Sequence, residues 1–546
     1  MNPDKIKAII LNCIDVYSPK NPQELFKYVS ALNVALNEFK DGLKELRKDN
    51  RFKTADDHLI TVPVPELNNE IQRKKPSELA KVEEKGEPLS EERLKEITKE
   101  MSIKDLKDVL GSTIKHDDSN KSITFLNMLS AYSENNQSNI SYRAPSSTGK
   151  SYIPLELADY FPAEDVISIG YASPTSFFHE FGLWDDERKV IINDLERKIL
   201  IFMDQPHDLL LQRLRPFLSH DKKEISLKIT DRTEKYGMRT KTALLRGYSA
   251  VIFCTGSLKI DEQEATRNFL LSPETTQEKL REAIYLKAFK RGNRPAYNEW
   301  IEKDEKRKML KDRIRLIKEA KISEIIIPNV DKVVERFKKQ TDKLKPRHQR
   351  DIDRIIALIG DFALFNLWNR KREGNNIYSN QNDIDNAFAL WDSVAVCQEL
   401  NIPPYVWRIY EEVIKPAYQG LNDIKVLIHQ IHEKYGNVKF LKSELKEFQE
   451  NIDYFLKNGI IFEPDKDSYQ ICEPDNLEEK VKGMEDNQTR IGISRKDIKK
   501  KFYEVYGRSI SDDSLRREIL PLLETAGLVI QEPNPDDKRQ ELTFVI

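Results

Sequence analysis

The sequence predicts a multidomain chain, mainly α-helical, built around one central α/β domain that carries a phosphate loop. Three observations predict this. At 546 residues the chain exceeds the size at which a single hydrophobic core keeps growing. Between residues 101 and 290 short apolar strands alternate with helices, the pattern of a mostly parallel sheet. Within that stretch Ala144-Pro145-Ser146-Ser147-Thr148-Gly149-Lys150-Ser151 stands between a strand and a helix, the context that a phosphate loop requires. Hydrophobic residues make up 39% and charged ones 33%, which suits folded cores beneath a charged surface. A formal net charge of -2 excludes a chain that attracts polyanions over its whole surface, so any nucleic-acid contact must be local. Cys13, Cys254, Cys397 and Cys472 form no CxxC pair, which argues against a zinc ribbon or a disulfide framework and fits a reducing, cytoplasmic setting. No apolar run approaches the roughly 18 residues of a membrane span, so no membrane partner is expected.

Taken in order, residues 1–60 read as amphipathic helix, with Ile6, Ile9, Ile10, Cys13 and Ile14 at helical spacing and Leu43 and Leu46 on a later helix. Residues 61–100 are rich in proline and charge and read as a linker. In the 101–290 domain a helix from Ile123 to Tyr132 leads into a strand at Ile140 to Arg143, and further strands are expected at Val166 to Ile169, Ile199 to Met203 and Ala250 to Cys254. Residues 291–418 read as a helical lid, with Ile352, Ile355, Ile356, Leu358, Ile359 and Phe362 forming an apolar stripe. The tail divides into 419–474 and 486–546. Each half reads as helices followed by glycine, strand, polar turn and strand, the pattern of a winged helix.

The motif residues specify a chemistry. Backbone N–H groups around Gly149, in the loop that Pro145 opens and Ser146, Ser147 and Thr148 continue, would wrap phosphates at the helix entrance formed by Ser151 and Tyr152, Lys150 would reach the β- and γ-oxygens, and Ser151 would hold magnesium. The strand ending in Met203-Asp204-Gln205 supplies a carboxylate, Asp204, for the metal. Its neighbour is Gln205 where hydrolytic enzymes usually carry Glu, and an amide can position water but cannot take its proton. A third strand ends at Thr255-Gly256-Ser257, where Thr255 first and Ser257 second could touch the γ-phosphate or the water. ATP with magnesium is the expected ligand.

With these motifs in this order the chain resembles the AAA+ ATPases, and within them the MCM (minichromosome maintenance) replicative helicases and their archaeal mobile-element relatives, over Ile103 to Trp391 and the C-terminal winged helix. The resemblance implies a hairpin inserted after the phosphate loop, at Ser173 to Val190, and a pore-facing basic hairpin at Ile225 to Gly247. In the second, Lys228, Arg232, Lys235, Arg239, Lys241 and Arg246 stand against Asp231 and Glu234, a local surface suited to single-stranded DNA. It also implies an arginine finger at Arg267, working on a neighbouring subunit's nucleotide, and a sensor at Arg347 or, second, Arg350. A finger implies a ring, hexameric in that family. The N-terminus departs from the family, being helical in pattern and free of cysteine pairs.

In the last unit Ser511 to Glu524 reads as a recognition helix with Arg516 and Arg517 exposed, and Lys538 and Arg539 lie on the wing, positions suited to duplex DNA. The balance of 11 basic to 10 acidic residues from Thr489 onward suits a protein-binding winged helix equally. The expected function is that of a ring-forming, DNA-dependent ATPase, a helicase or translocase of DNA replication, located in the cytoplasm with the nucleoid. The alternatives are an ATP-gated initiator or switch with slow hydrolysis, and a winged-helix regulator whose nucleotide site is structural.

Overall fold

A computed structural model of the chain describes residues 90–546 apart from 171–181, 186, 189, 221, 232–238, 260–264, 341–342, 421–439, 442–460, 467, 472–491 and 535–538; before residue 90 it describes residues 10, 25–26, 39–41, 43–44, 46, 52–55 and 58–61. Two units divide the chain, Met1–Pro88 and Leu89–Ile546. In the first, Leu43 and Leu46 are helical and buried as expected, but the helical reading fails at its end. There β1 (Phe52–Ala55) and β2 (His58–Thr61) form an antiparallel hairpin, where β-branched and aromatic residues override a weak helical period.

The second unit opens with α1 (Glu91–Ile97) and α2 (Ile103–Leu110). The first lies in the expected linker; its N-cap, Ser90, accepts from the Arg93 N–H, and Ser102 with Asp105 closes a capping box on the second. Next come α3 (Asp118–Ser130), β3 (Asn139–Arg143), α4 (Tyr152–Ala158) and β4 (Val166–Ile169), then β5 (Gly182–Asp185), β6 (Val190–Asp194), β7 (Ile199–Phe202) and α5 (Asp208–Leu218). The domain closes with β8 (Glu224–Asp231), β9 (Arg239–Arg246), β10 (Ala250–Thr255) and β11 (Asn268–Leu271).

Five of these strands make one wholly parallel sheet in the order β11-β3-β10-β7-β4. β3, β7, β10 and β11 are buried on both faces, which is why they read as largely apolar runs, while the edge strand β4 leaves Ser168 exposed. Ile140, Tyr142, Ile199, Ile201, Ile252 and Phe269 face a core shared with α3, while Leu200, Phe202, Val251 and Phe253 face one shared with Leu210, Leu214 and Phe217 of α5. All but the first two residues of α3 are buried, and several of its polar side chains find partners: the Thr124 hydroxyl bonds Tyr142 at 2.7 Å and the Asn120 carbonyl at 2.7 Å. The two expected hairpins are not independent. Paired in the order β5-β6-β9-β8, with β6 parallel to β9, they form one four-stranded sheet that shares the α5 core through Ala243 and Leu245.

Helices follow: α6 (Gln277–Gly292), α7 (Arg294–Lys303), α8 (Glu305–Glu319), α9 (Val330–Lys339), α10 (His348–Phe365), α11 (Gln381–Asp392), α12 (Ala395–Leu400) and α13 (Pro404–Ile409), the last continued by a π turn at Tyr410–Ile414. A small sheet, β12 (Ile325–Ile326), β13 (Lys371–Glu373) and β14 (Asn376–Tyr378), lies among them. The apolar stripe of α10 packs as predicted, with Ile355, Leu358, Ile359 and Phe362 buried against α3 and α11. Buried Arg313 of α8 donates to the carbonyls of Ile97, Lys99 and Phe365, the C-terminal ends of α1 and α10, where helix dipoles favour a cation.

The tail holds two further antiparallel sheets. β15 (Phe440–Leu441), β16 (Ile461–Asp465) and β17 (Ser468–Ile471) form the first; its expected helices lie outside the described residues. The second joins β18 (Ile493–Ser494), β19 (Val529–Pro533) and β20 (Glu541–Val545), preceded by α14 (Arg495–Tyr506) and by α15, which runs Asp512–Ser514, Leu515–Ile519 and Leu520–Thr525 with a π turn at its centre. The domain boundary differs from the sequence reading. Tyr405, Ile409 and Val413, expected in the lid, share a core with Ile498, Phe502, Leu515 and Leu523, so α13 is the first helix of the C-terminal unit.

One buried carboxyl makes a testable demand. Asp361 on α10 is 1% exposed and accepts from the Asn136 Nδ2 at 2.5 Å, and a Cβ on neighbouring Gly360 would come within 2.4 Å of the same Asn136. Burial raises the Asp361 carboxyl well above the usual carboxylate range, so folding favours its protonated form relative to the unfolded chain. Stability from this group is therefore fully present below the ordinary carboxylate pKa and lost as pH rises towards the raised one, by up to about 1.4 kcal/mol per pH unit. Urea denaturation of Asp361→Asn beside the parent between pH 4 and pH 8 is expected to show the variant gaining relative stability with pH; parallel pH profiles would refute the assignment.

Candidate nucleotide site

The sheet order brings the motif residues together. β10 lies between β3 and β7, so the loop leaving β3, the carboxylate after β7 and the hydroxyl at the end of β10 emerge side by side at the carboxyl edge. Ligands of open parallel sheets bind at such an edge, where successive connections leave in opposite directions. Here the chain leaves β3 for the far edge strand β4, returns through β7 and β10, and ends at β11 on β3's other side.

Between β3 and α4 the loop has the backbone of an anion cradle. Ser147 (φ 66°) and Gly149 (φ 95°) lie in the left-handed region, which glycine adopts without penalty. Among the described residues the N–H groups of Ser146 to Ser151 donate to no backbone carbonyl, whereas those of Tyr152 and Ile153 close onto the Gly149 carbonyl and start the helix. The Thr148 hydroxyl donates to the Pro145 carbonyl at 2.9 Å, and the Lys150 Nζ donates to the same oxygen at 2.8 Å. Burial lowers the Lys150 ammonium from its ordinary value, with Cys254 and Asp204 opposing the shift. Tyr152 anchors the far side of the loop through a 2.8 Å bond to the Thr113 carbonyl. Beneath it Cys254, its thiol pushed up to about 12 by burial, lies 3.5 Å from the Lys150 carbonyl.

Asp204 is exposed and its Oδ1 accepts the Gln205 N–H at 2.8 Å. Thr255, 2% exposed, donates its hydroxyl to the Gln205 Oε1 at 3.0 Å and accepts the Ser257 N–H at 3.2 Å. This fixes the amide: the carbonyl end of Gln205 is held by Thr255, and the NH2 end remains as a donor. A magnesium–nucleotide pair fits these groups. Magnesium is bound through one or two protein oxygens plus phosphates and water rather than a protein cage, and Ser151 with Asp204 offers such a pair; no cluster of three metal-ligating side chains exists among the described residues.

The remaining predicted site residues lie elsewhere. Arg267 precedes β11, whose first residue pairs with Asn139 at the start of β3, so it lies at the opposite edge of the sheet from the phosphate loop. Its Nε donates to Ser219 at 2.8 Å. The length of β3, about 13 Å at 3.3 Å per residue, separates it from its own loop. Arg347, expected as a sensor, is 9% exposed and clamps Asp351 with two bonds of 2.9 and 3.2 Å, while its Nη1 reaches the Glu399 carbonyl and Asn401. It is committed because the α10 N-terminus packs on the Arg267 segment rather than on the loop: Arg350 bonds the Thr266 hydroxyl, and Arg354 donates to the carbonyls of Thr266 and Asn268.

No family model matches this chain, and no curated protein does. On the hairpins, Lys228 is exposed on β8; Arg239 and Lys241 begin and follow on β9, and Arg232 and Lys235 lie outside the described residues. Arg516 and Arg517 are exposed on α15 as expected, Arg517 facing Asp513 at 3.2 Å; Arg539 is exposed, and Lys538 lies outside the described residues.

Sequence reasoning missed Arg354. Buried, and lowered to about 10 by that burial, it joins Asp351 at 2.8 Å and Gln398 at 2.8 Å, while Gln398 in turn bonds both backbone groups of Leu270. The signal was an Arg inside the apolar stripe of α10, three residues after an Asp. Replacement by Met strands three carbonyl acceptors and is expected to cost about 3–5 kcal/mol, measured as a lower urea midpoint. Arg354→Lys, which lacks the fork, should recover only part of it; an unchanged midpoint for Arg354→Met would refute the network's role.

Proposed function

We propose that this chain is an AAA+ ATPase of the MCM-like kind, binding ATP with magnesium at the carboxyl edge of β3, β10 and β7 and acting on DNA as a ring. The observation that carries the reading is the placement of β10 between the phosphate-loop strand and the Asp204 strand, which sets Lys150, Asp204, Gln205 and Thr255 around one edge. Loop N–H groups and Lys150 bind the phosphates, and Ser151 and Asp204 hold the metal, which when bound neutralises phosphate charge. Arg267, too far from its own loop, works only if a neighbour stacks head to tail so that one subunit's lower edge meets the next one's upper edge. The β8–β9 hairpin is the DNA-facing element, and the C-terminal unit, with its α13-β18-α14-α15-β19-β20 order, is a winged helix. No helix among the described residues is long and apolar enough to cross a membrane.

The Thr255–Gln205 bond favours a second reading, an ATP-gated switch. With its carbonyl occupied, Gln205 offers a donor, which holds a phosphate oxygen but cannot accept the proton of an attacking water. Turnover should therefore be slow in the natural chain. Steady-state ATP hydrolysis with and without single-stranded DNA tests both readings. Lys150→Ala should abolish turnover, and Gln205→Glu should raise it by about 10²-fold or more. Hydrolysis indifferent to DNA and to Lys150→Ala would sink the ATPase reading, and an unchanged rate in Gln205→Glu would sink the switch.

A further inference from the structure

The C-terminal unit carries its positive charge on a helix other than the one a winged helix is expected to lay on DNA. From Ser511 to Thr525, α15 with its cap holds two arginines, Arg516 and Arg517, against four acids, Asp512, Asp513, Glu518 and Glu524. Arg517 is already paired with Asp513. A groove-facing surface of that composition would set carboxylates against phosphates. From Arg495 to Arg508, by contrast, α14 and its end hold six basic residues against Asp497 and Glu504. Both acids are occupied locally: Asp497 closes the capping box with Ser494, and Glu504 faces Lys501 at 3.5 Å.

Helical geometry sorts the basic residues. Ile498 and Phe502, four apart, are buried in the core of the C-terminal unit and fix the helix. On the solvent side Lys496 and Lys500 are exposed, Lys499 is half-buried, and Tyr503, seven residues after Lys496, is 62% exposed. Among the described residues none of the three lysines lies within ion-pair distance of a carboxylate, whereas Arg495 is held by Glu541 at 3.2 Å and by Asp512 at 3.6 Å. The result is a stripe of unpaired ammonium groups about 10 Å long on a rigid helix, ending in an exposed phenol.

We infer that α14, rather than α15, is the DNA-facing helix of this unit: Lys496, Lys499 and Lys500 neutralise backbone phosphates of duplex DNA, and the Tyr503 hydroxyl donates to the same backbone. The inference rests on the reading of the chain as a DNA-acting protein. Contacts of this kind set position and carry no sequence information, so binding is salt-sensitive and sequence-tolerant.

The test uses the full chain and a labelled duplex of mixed sequence, with binding followed by fluorescence anisotropy over a series of salt concentrations. Lys496→Glu with Lys500→Glu should weaken binding roughly 10-fold or more at low salt, and the slope of log affinity against log salt should fall by about two. Lys496→Gln with Lys500→Gln should show the same slope change with a smaller loss, and thermal unfolding should show both variants folded. Arg516→Glu with Arg517→Glu should change affinity less than about threefold, below half a log unit of the binding constant. Unchanged affinity and slope in both α14 variants, or a loss confined to the α15 variant, overturns the inference while leaving DNA binding intact. A parent chain that binds ATP but no duplex at any salt overturns the DNA reading itself, and the inference with it.

Discussion

Everything proposed for this chain depends on the parallel alignment of β3, β10 and β7. Parallel strands put all their carboxyl ends at one edge, so three segments drawn from residues 139 to 255 present a glycine-containing loop, a carboxylate and a hydroxyl at the same edge. The alignment is enforced by burial on both faces. A one-residue slip of β10 would turn Ile252 and Cys254 towards α5 and Val251 and Phe253 towards α3, exchanging two differently shaped cores.

The same alignment separates two tasks. The loop after β3, Asp204 and Thr255 lie at the carboxyl edge, while the Arg267 segment is fixed at the opposite edge by a buried net of Arg347, Asp351, Arg354 and Gln398. Such a net is costly to desolvate and costly to break, because each member lost leaves a buried charge or carbonyl uncompensated. Its rigidity suits a segment whose work requires a second copy of the chain.

The parts of this architecture written locally were legible in the sequence. Loop, strand and helix around Gly149 follow from glycine, lysine and the apolar run before them, and β7 and β10 were found within a residue of their bounds because two-sided burial makes each a nearly unbroken apolar run; β4 was found through its β-branched residues despite the exposed Ser168. What could not be read depends on long-range pairing. β11 is four residues long and hidden behind an arginine motif, and the parallel register of β6 with β9 joins segments fifty residues apart. The surroundings of Arg347 could not be read from sequence because an exposed ion-pair residue, a nucleotide sensor and a buried clamp share one residue type. Only the partner Asp351 and the packing of α10 distinguish them. The boundary at α13 was missed because its apolar face has the same period whether it covers the lid or the C-terminal unit.

Ala144, where the phosphate-loop pattern usually begins with glycine, has a second meaning in the structure. Its methyl group is fully buried, and together with Leu258 it belongs to the core formed by Tyr405, Val406 and Ile409 of α13 and the residues beneath α14 and α15. The root of the cradle is thus part of the tail's own interior. Close-packed interiors do not stretch; they hold or they jump between arrangements. Any repacking of α13 against the helices beneath it is therefore felt at the backbone where the loop after β3 begins, as a shifted keystone is felt along its arch.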